Sequence, residues 1–268
     1  VTSNAGARTW WAETYSIGAG SAGYWRIGSL ELRIARSRHE WLVEWNHLDE
    51  SRDPPMVVEV PTARPSIGSG GSAGRFGFQG TDGALRLAPR LADRAFVINP
   101  AHSLSIPEQE EISIFVSTPV WVSIRAGSAE KKLMDLPAFR ASDTWFGASS
   151  IEGELCYASK TRARLHYDTL EFRSHRAITK VRIVNHSNAL LRFENLKLPV
   201  PMLSLFEDGH GWLWTNTVDL VCEETGAMAT QELGVGPPQE ARAARTLSVP
   251  PQPPQQSLLT RAFGELIR

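Results

Sequence analysis

The chain has 268 residues, with 28 Lys and Arg against 29 Asp and Glu, 42% hydrophobic residues and two cysteines. A formal charge of −1 argues against a general nucleic-acid binder, and the hydrophobic content argues against disorder. Two cysteines cannot build a disulfide framework or a zinc knuckle, and no stretch reaches about 18 uninterrupted apolar residues, so we expect a cytoplasmic protein without a secretory signal or transmembrane segment.

Apolar residues alternate with a period of two up to residue 255, and no long stretch there has a helical period. Trp10 and Trp11 are adjacent in a predicted strand and point to opposite faces, so at least one is expected to be partly exposed or covered by another element. Gly18, Gly20 and Gly23 in GAGSAG have dinucleotide-fingerprint spacing. The aromatic and β-branched residues that follow do not open a helix, so a glycine-rich turn is expected. Leu30, Leu32 and Ile34, then Trp41, Val43 and Trp45 beyond a turn at Ser37, predict a hairpin. The run from Ser66 to Arg75 reads as a mobile loop, and the nucleophile-elbow match at Gly70, Ser72 and Gly74 lacks its strand-to-helix context.

Ile112, Ile114 and Val116 alternate with polar and aromatic neighbours, and Val120, Val122 and Ile124 continue the pattern beyond Pro119. That proline is expected at an edge, a bulge or a crossing between sheets, since it cannot donate to a central ladder. Turn-rich residues 127–137 mark an expected boundary between two halves. Asp143 and Thr144 ahead of Trp145, Phe146 and Gly147 read as a turn closed by an aspartate. On the next strand Glu154 shares a face with Cys156, opposite Leu155 and Tyr157; if buried, Glu154 is expected to form a structural ion pair with Arg162, Arg164 or a similar cation.

The most uneven charge lies between residues 160 and 182, where seven Lys and Arg meet Asp168 and Glu171, a balance of +5. Arg162, Arg164 and His166 alternate with Ala163, Leu165 and Tyr167, which predicts a strand with a basic row on one face. With Lys180 and Arg182 this row is the candidate face for an anion, a phosphate or an acidic partner. The plainer alternative is a solvated face neutralised by carboxylates such as Glu152 and Glu154.

Asp208, Gly209, His210 and Gly211 suggest a tight hairpin turn. The seven histidines show no metal-binding spacing, and no catalytic or cofactor constellation emerges. Most of the nine tryptophans are expected between packed sheets. Prolines over 237–256 suggest an extended linker, followed over 257–268 by an amphipathic helix capped by Ser257 and docking through Leu259, Phe263 and Leu266. The expected architecture is therefore all-β: two antiparallel sandwich-like halves, residues 1–130 and 131–236, or alternatively one large sandwich.

Several segments carry a family likeness: SDTWFG at 142–147, GELCYAS at 153–159, TRAR at 161–164, YWRIGSLEL at 24–32, STPVWV at 117–122, NLKLPVPMLSLFEDG at 195–209 and LWT at 213–215. Over nearly the whole chain the sequence resembles the uncharacterised prokaryotic family of domain of unknown function 432. The resemblance implies no activity, substrate or catalytic residue. Its members are often encoded beside small mechanosensitive channels, which implies association with a membrane complex. Combined with the residue-level reading, the expectation is a non-catalytic binding or scaffolding module engaging a protein partner. A carbohydrate-binding module or glycan-active enzyme, and an anion-responsive regulatory domain, are the alternatives.

Overall fold

A computed structural model describes residues 9–49, 55–68, 70–147, 153–193, 195–223 and 229–253, together with the backbone of 258–260. The chain is all-β: among the described residues its helical pieces are three single 3-10 turns, Tyr167–Thr169, Val200–Met202 and Gln239–Ala241. No helix among these residues is long and apolar enough to cross a membrane. Two compact units emerge, one from the described parts of Gly6–Arg90 and Pro119–Arg140, the other from Leu91–Thr118 and Ala141–Arg268.

In the first unit, a five-stranded antiparallel sheet runs in the order Val57–Glu59, Ala22–Ile27, Leu30–Arg36, Glu40–His47, Ser72–Gly77. The hairpin of Leu30–Arg36 and Glu40–His47 is the expected one; alternation puts Leu30, Leu32, Ile34, Trp41 and Val43 fully inside. A four-stranded sheet contains Thr14–Ser16, Ala84–Arg90, Trp121–Ala126 and Lys131–Pro137. Tyr15 from this sheet meets Trp25 from the other edge-on, with ring centroids 5.1 Å apart. The GAGSAG glycines serve the backbone: Gly20 has φ +81°, and a Cβ at Gly23 would lie 2.4 Å from the Trp25 ring.

Three expectations change here. Trp10 and Trp11 occupy a turn in place of the predicted strand, so alternation does not separate them; both are buried, one of the outcomes expected, and pack edge to face at 4.9 Å. Ser72–Gly77 is an edge strand paired with Glu40–Trp45, so the glycine run does not remain a loop throughout; ladder hydrogen bonds require no large side chain. Gly127–Glu130 is a hairpin turn inside one unit, with Gly127 at φ +76° and the Ser128 N–H donated to the Asp82 carboxylate at 2.9 Å. A hairpin turn and an interdomain boundary share the same turn chemistry, whereas the real division is interleaved along the chain. The chain passes from one unit to the other beside Pro119, where a sheet crossing was among the expected roles.

The second unit centres on Arg176–Asn185. This strand pairs in parallel with Leu213–Thr215 and Val218–Cys222, and also pairs with Glu111–Pro119, within an eight-stranded sheet. A four-stranded sheet contains Ser142–Phe146, Glu154–Thr161, Phe96–Pro100 and Leu196–Leu198, its central pair being parallel. Long connections between non-consecutive strands make these parallel pairs, so the expected purely antiparallel arrangement is corrected to a mixed one. Ser142–Phe146 is likewise a strand, not the aspartate-closed turn expected there, since its ladder runs unbroken against Glu154–Ala158.

The proline-rich segment is not an extended linker. Ala241 packs with Phe115, Ile178, Phe206 and Trp214, and Arg245–Ser248 pairs with Leu205–Glu207, because buried apolar contacts and ladder bonds outweigh the extended preference of the flanking prolines. Leu258–Thr260 forms a strand against Ala229–Gln231 in place of the expected helix; an open sheet edge supplies ladder bonds that a short isolated helix could not match. Leu259 therefore lies on a strand. Ser257, Phe263 and Leu266 fall outside the described residues.

Candidate functional site

The second unit holds a cavity of about 300 Å³. Its construction begins where the strand Glu154–Thr161 ends. Thr161 Oγ1 accepts the Ala163 N–H at 3.2 Å, and Ala163 adopts φ +43°, a left-handed conformation that an alanine enters at a cost of about 1–2 kcal/mol. Immediately afterwards the Phe115 N–H donates to the Arg164 carbonyl at 2.7 Å and the Arg164 N–H to the Phe115 carbonyl at 3.1 Å. Arg164 is thereby tied to the strand Glu111–Pro119, and both Arg162 and Arg164 line the cavity.

The predicted basic strand is thus corrected. Residues 162–167 do not continue the ladder, because the left-handed Ala163 turns the backbone and Tyr167–Thr169 closes a 3-10 turn. Leu165 and Tyr167, expected to back the row against a core, are 46% and 52% exposed. His166 is exposed and absent from the lining; its carbonyl accepts the Thr169 hydroxyl at 2.7 Å.

Among the described residues Lys160, Arg173 and Arg176 complete the cationic lining and Glu171 is its one carboxylate, so five cations against one anion leave a formal +4. Arg176 is anchored: its guanidinium donates to Ser117 Oγ at 3.0 Å and to the Ser117 carbonyl at 2.6 Å. Arg173 donates to Glu171 at 3.0 Å. That bond, reinforced by the positive charge of Arg162 and Arg164, holds the Glu171 carboxyl below the usual carboxylate range. Lys160, Arg162 and Arg164 form no ion pair and no side-chain hydrogen bond with any described residue.

Apolar groups share the same cavity. Phe172 and Trp212 line it with ring centroids 5.8 Å apart and tilted by 54°, and Phe115, Leu170 and Ile178 contribute as well. Trp212 is placed by the Asp208 turn. One Asp208 oxygen accepts the His210 and Trp212 N–H groups at 2.9 and 3.0 Å, and the other accepts the Trp214 indole at 3.0 Å. Trp212 then stacks on Trp214 at 6.5 Å. The hairpin turn expected at Asp208–Gly211 therefore also positions part of the pocket.

The other sequence candidates go elsewhere. Lys180 pairs with Glu240 at 2.7 Å, and Arg182 with Glu111 at 2.7 and 2.9 Å, which lowers the Glu111 carboxyl. Neither lines the cavity. Glu154 is more than half exposed and pairs with Lys197, not with Arg162 or Arg164, because Leu196–Leu198 lies two strands away in the same sheet and carries the lysine to it. Cys156, two residues on and on the same face, is fully buried, so that face passes from solvent into the core along the strand. Glu152 falls outside the described residues. The sequence reading missed the contributions of Phe172 and Trp212; the +5 segment signalled the cations but not which of them converge.

No group of three His, Cys, Asp or Glu suited to a metal occurs among the described residues. Of the nine tryptophans, six are buried, Trp45 and Trp212 are intermediate, and Trp145 is 46% exposed. No row of exposed indoles is available as a sugar platform among these.

The cavity is thus an arginine-rich concavity in an all-β scaffold. The family model described as "Protein of unknown function (DUF432)" matches residues 10–268, and the chain belongs to that family. No curated protein and no solved structure matches it.

Proposed function

We propose that the protein is a non-catalytic, anion-responsive binding module whose ligand carries a phosphate-like group into the pocket beside Arg162 and Arg164. The observation carrying this reading is that Lys160, Arg162 and Arg164 line one concave site without an ion pair or side-chain hydrogen bond to any described carboxylate, Glu171 being paired with Arg173. Positive groups in a partly enclosed site repel one another, and an anion relieves that repulsion while accepting charge-assisted hydrogen bonds. A cavity of about 300 Å³ suits a small molecule better than it suits a flat protein surface. Cys156 and Cys222 are free and buried, which fits a reducing, cytoplasmic setting.

The test is isothermal titration of the full chain with sodium pyrophosphate at low and high salt. Saturable binding that weakens with salt and falls about tenfold or more in Arg164→Gln supports the reading. Absence of binding, or binding indifferent to Arg164→Gln, overturns it.

A further inference from the structure

Resting on the anion-binding reading, we propose that the ligand joins a pyrophosphate-like group to a planar aromatic ring, as a nucleoside diphosphate does. An inorganic anion requires donors and charge, and gains nothing from aromatic walls. This cavity supplies both kinds of surface: Lys160, Arg162 and Arg164 on one part of its lining, and Phe172 and Trp212 on another. Phe172 and Trp212 are half-buried while Trp25, Trp41 and Phe96 are wholly enclosed, so the pocket aromatics retain ring surface accessible to a ligand.

Trp212 is firmly supported. Asp208 ties the Trp212 backbone to the side chain of Trp214, and the two indoles stack with an interplanar angle of 21°. A flat ring entering against Trp212 meets a surface already ordered, so less freedom is lost than on a mobile loop, and Phe172 packs beside that indole with ring centroids 5.8 Å apart. Lys160, Arg162 and Arg164, which form no ion pair among the described residues, also match the charge of about −3 that a diphosphate carries near neutrality; a monophosphate would leave part of their charge uncompensated. Stacking on an aromatic side chain is sequence-tolerant and contributes a gain of about tenfold or more per base.

The inference separates cleanly from the anion reading when ADP, pyrophosphate and adenosine are titrated into the full chain and its variants. ADP is expected to bind about tenfold or more tightly than pyrophosphate, with adenosine weakest. Phe172→Leu is expected to erase most of the ADP advantage while leaving pyrophosphate affinity unchanged, and Arg164→Gln to weaken both phosphate ligands. Trp212→Leu gives a parallel reading, and Phe172→Leu serves alone if the indole proves necessary for folding. Equal affinities for ADP and pyrophosphate, or an ADP advantage untouched by Phe172→Leu, overturn the ring inference while leaving the anion site standing. If neither ADP nor pyrophosphate binds, both readings fall.

Discussion

Phe115 and Arg164 exchange two backbone hydrogen bonds, 2.7 Å from the Phe115 N–H and 3.1 Å from the Arg164 N–H. A core residue and a pocket cation are thus held by one bridge: the Phe115 ring packs edge-on to Trp214 at 6.5 Å while its backbone sets the position of Arg164. Charge at the pocket is therefore presented from an ordered backbone, and its removal separates binding from folding.

Arg162→Gln and Arg164→Gln are expected to change unfolding free energy by no more than about 0.5 kcal/mol each, because neither arginine has an ion-pair partner among the described residues. Urea denaturation checks this. A loss of several kcal/mol would assign the arginines to the fold instead of the pocket.

Ala163→Gly removes the Cβ penalty of a left-handed residue but adds freedom to the unfolded chain, so the two effects nearly offset. Melting temperature should be unchanged or slightly raised, and pyrophosphate affinity should fall as Arg162 and Arg164 become less ordered. Calorimetry and titration on the same sample measure both. A fall in melting temperature of many degrees would contradict the strain argument.

Asn185 is fully buried. Its amide nitrogen lies within hydrogen-bond distance of the Ile106, Pro107 and Ala189 carbonyls, and its oxygen accepts the Ser187 N–H and hydroxyl. Asn185→Ala strands several of these groups away from water and is expected to cost about 3 kcal/mol, read from the urea midpoint at constant slope. A loss below about 1 kcal/mol would show that water or relaxation replaces the network.

Tyr24 and Tyr157 are both pushed up to about 12, first by burial and then by hydrogen bonds to Glu31 and Asp93. A raised folded value means that the native state holds its proton more tightly than the unfolded chain. The associated stability is complete below pH 10 and is lost as pH rises through about 12. Phenolate absorbance should therefore appear late for these two residues, and Tyr24→Phe should remove one late step. Titration of every tyrosine together near pH 10 would contradict this placement.

Alternation made the strands legible where both hydrogen bonding and burial follow the local pattern, as in Leu30–Arg36 with Glu40–His47. It failed at 162–167, where the same apolar–polar alternation accompanies an exposed Leu165 and Tyr167. The left-handed Ala163 sits between a local contact to Thr161 and the bridge of Arg164 to Phe115, 49 positions earlier, and alternation reports neither. Interleaving of the two units and capture of Arg245–Ser248 by Leu205–Glu207 likewise depend on distant pairing partners. Charge bias identified the neighbourhood of the pocket. Only the fold separates Arg162 and Arg164 from Lys180 and Arg182, whose charges Glu240 and Glu111 neutralise.

The most direct test follows the arginine side-chain N–H resonances of the full chain by NMR during titration with pyrophosphate, with Arg162 and Arg164 assigned through their Gln variants. The expected result is saturable shifts at Arg162 and Arg164 that share one binding curve, while Arg182, engaged by Glu111, barely moves. Saturable shifts centred on Arg182, or no saturable shift at either pocket arginine, would contradict the assignment of this cavity as an anion site.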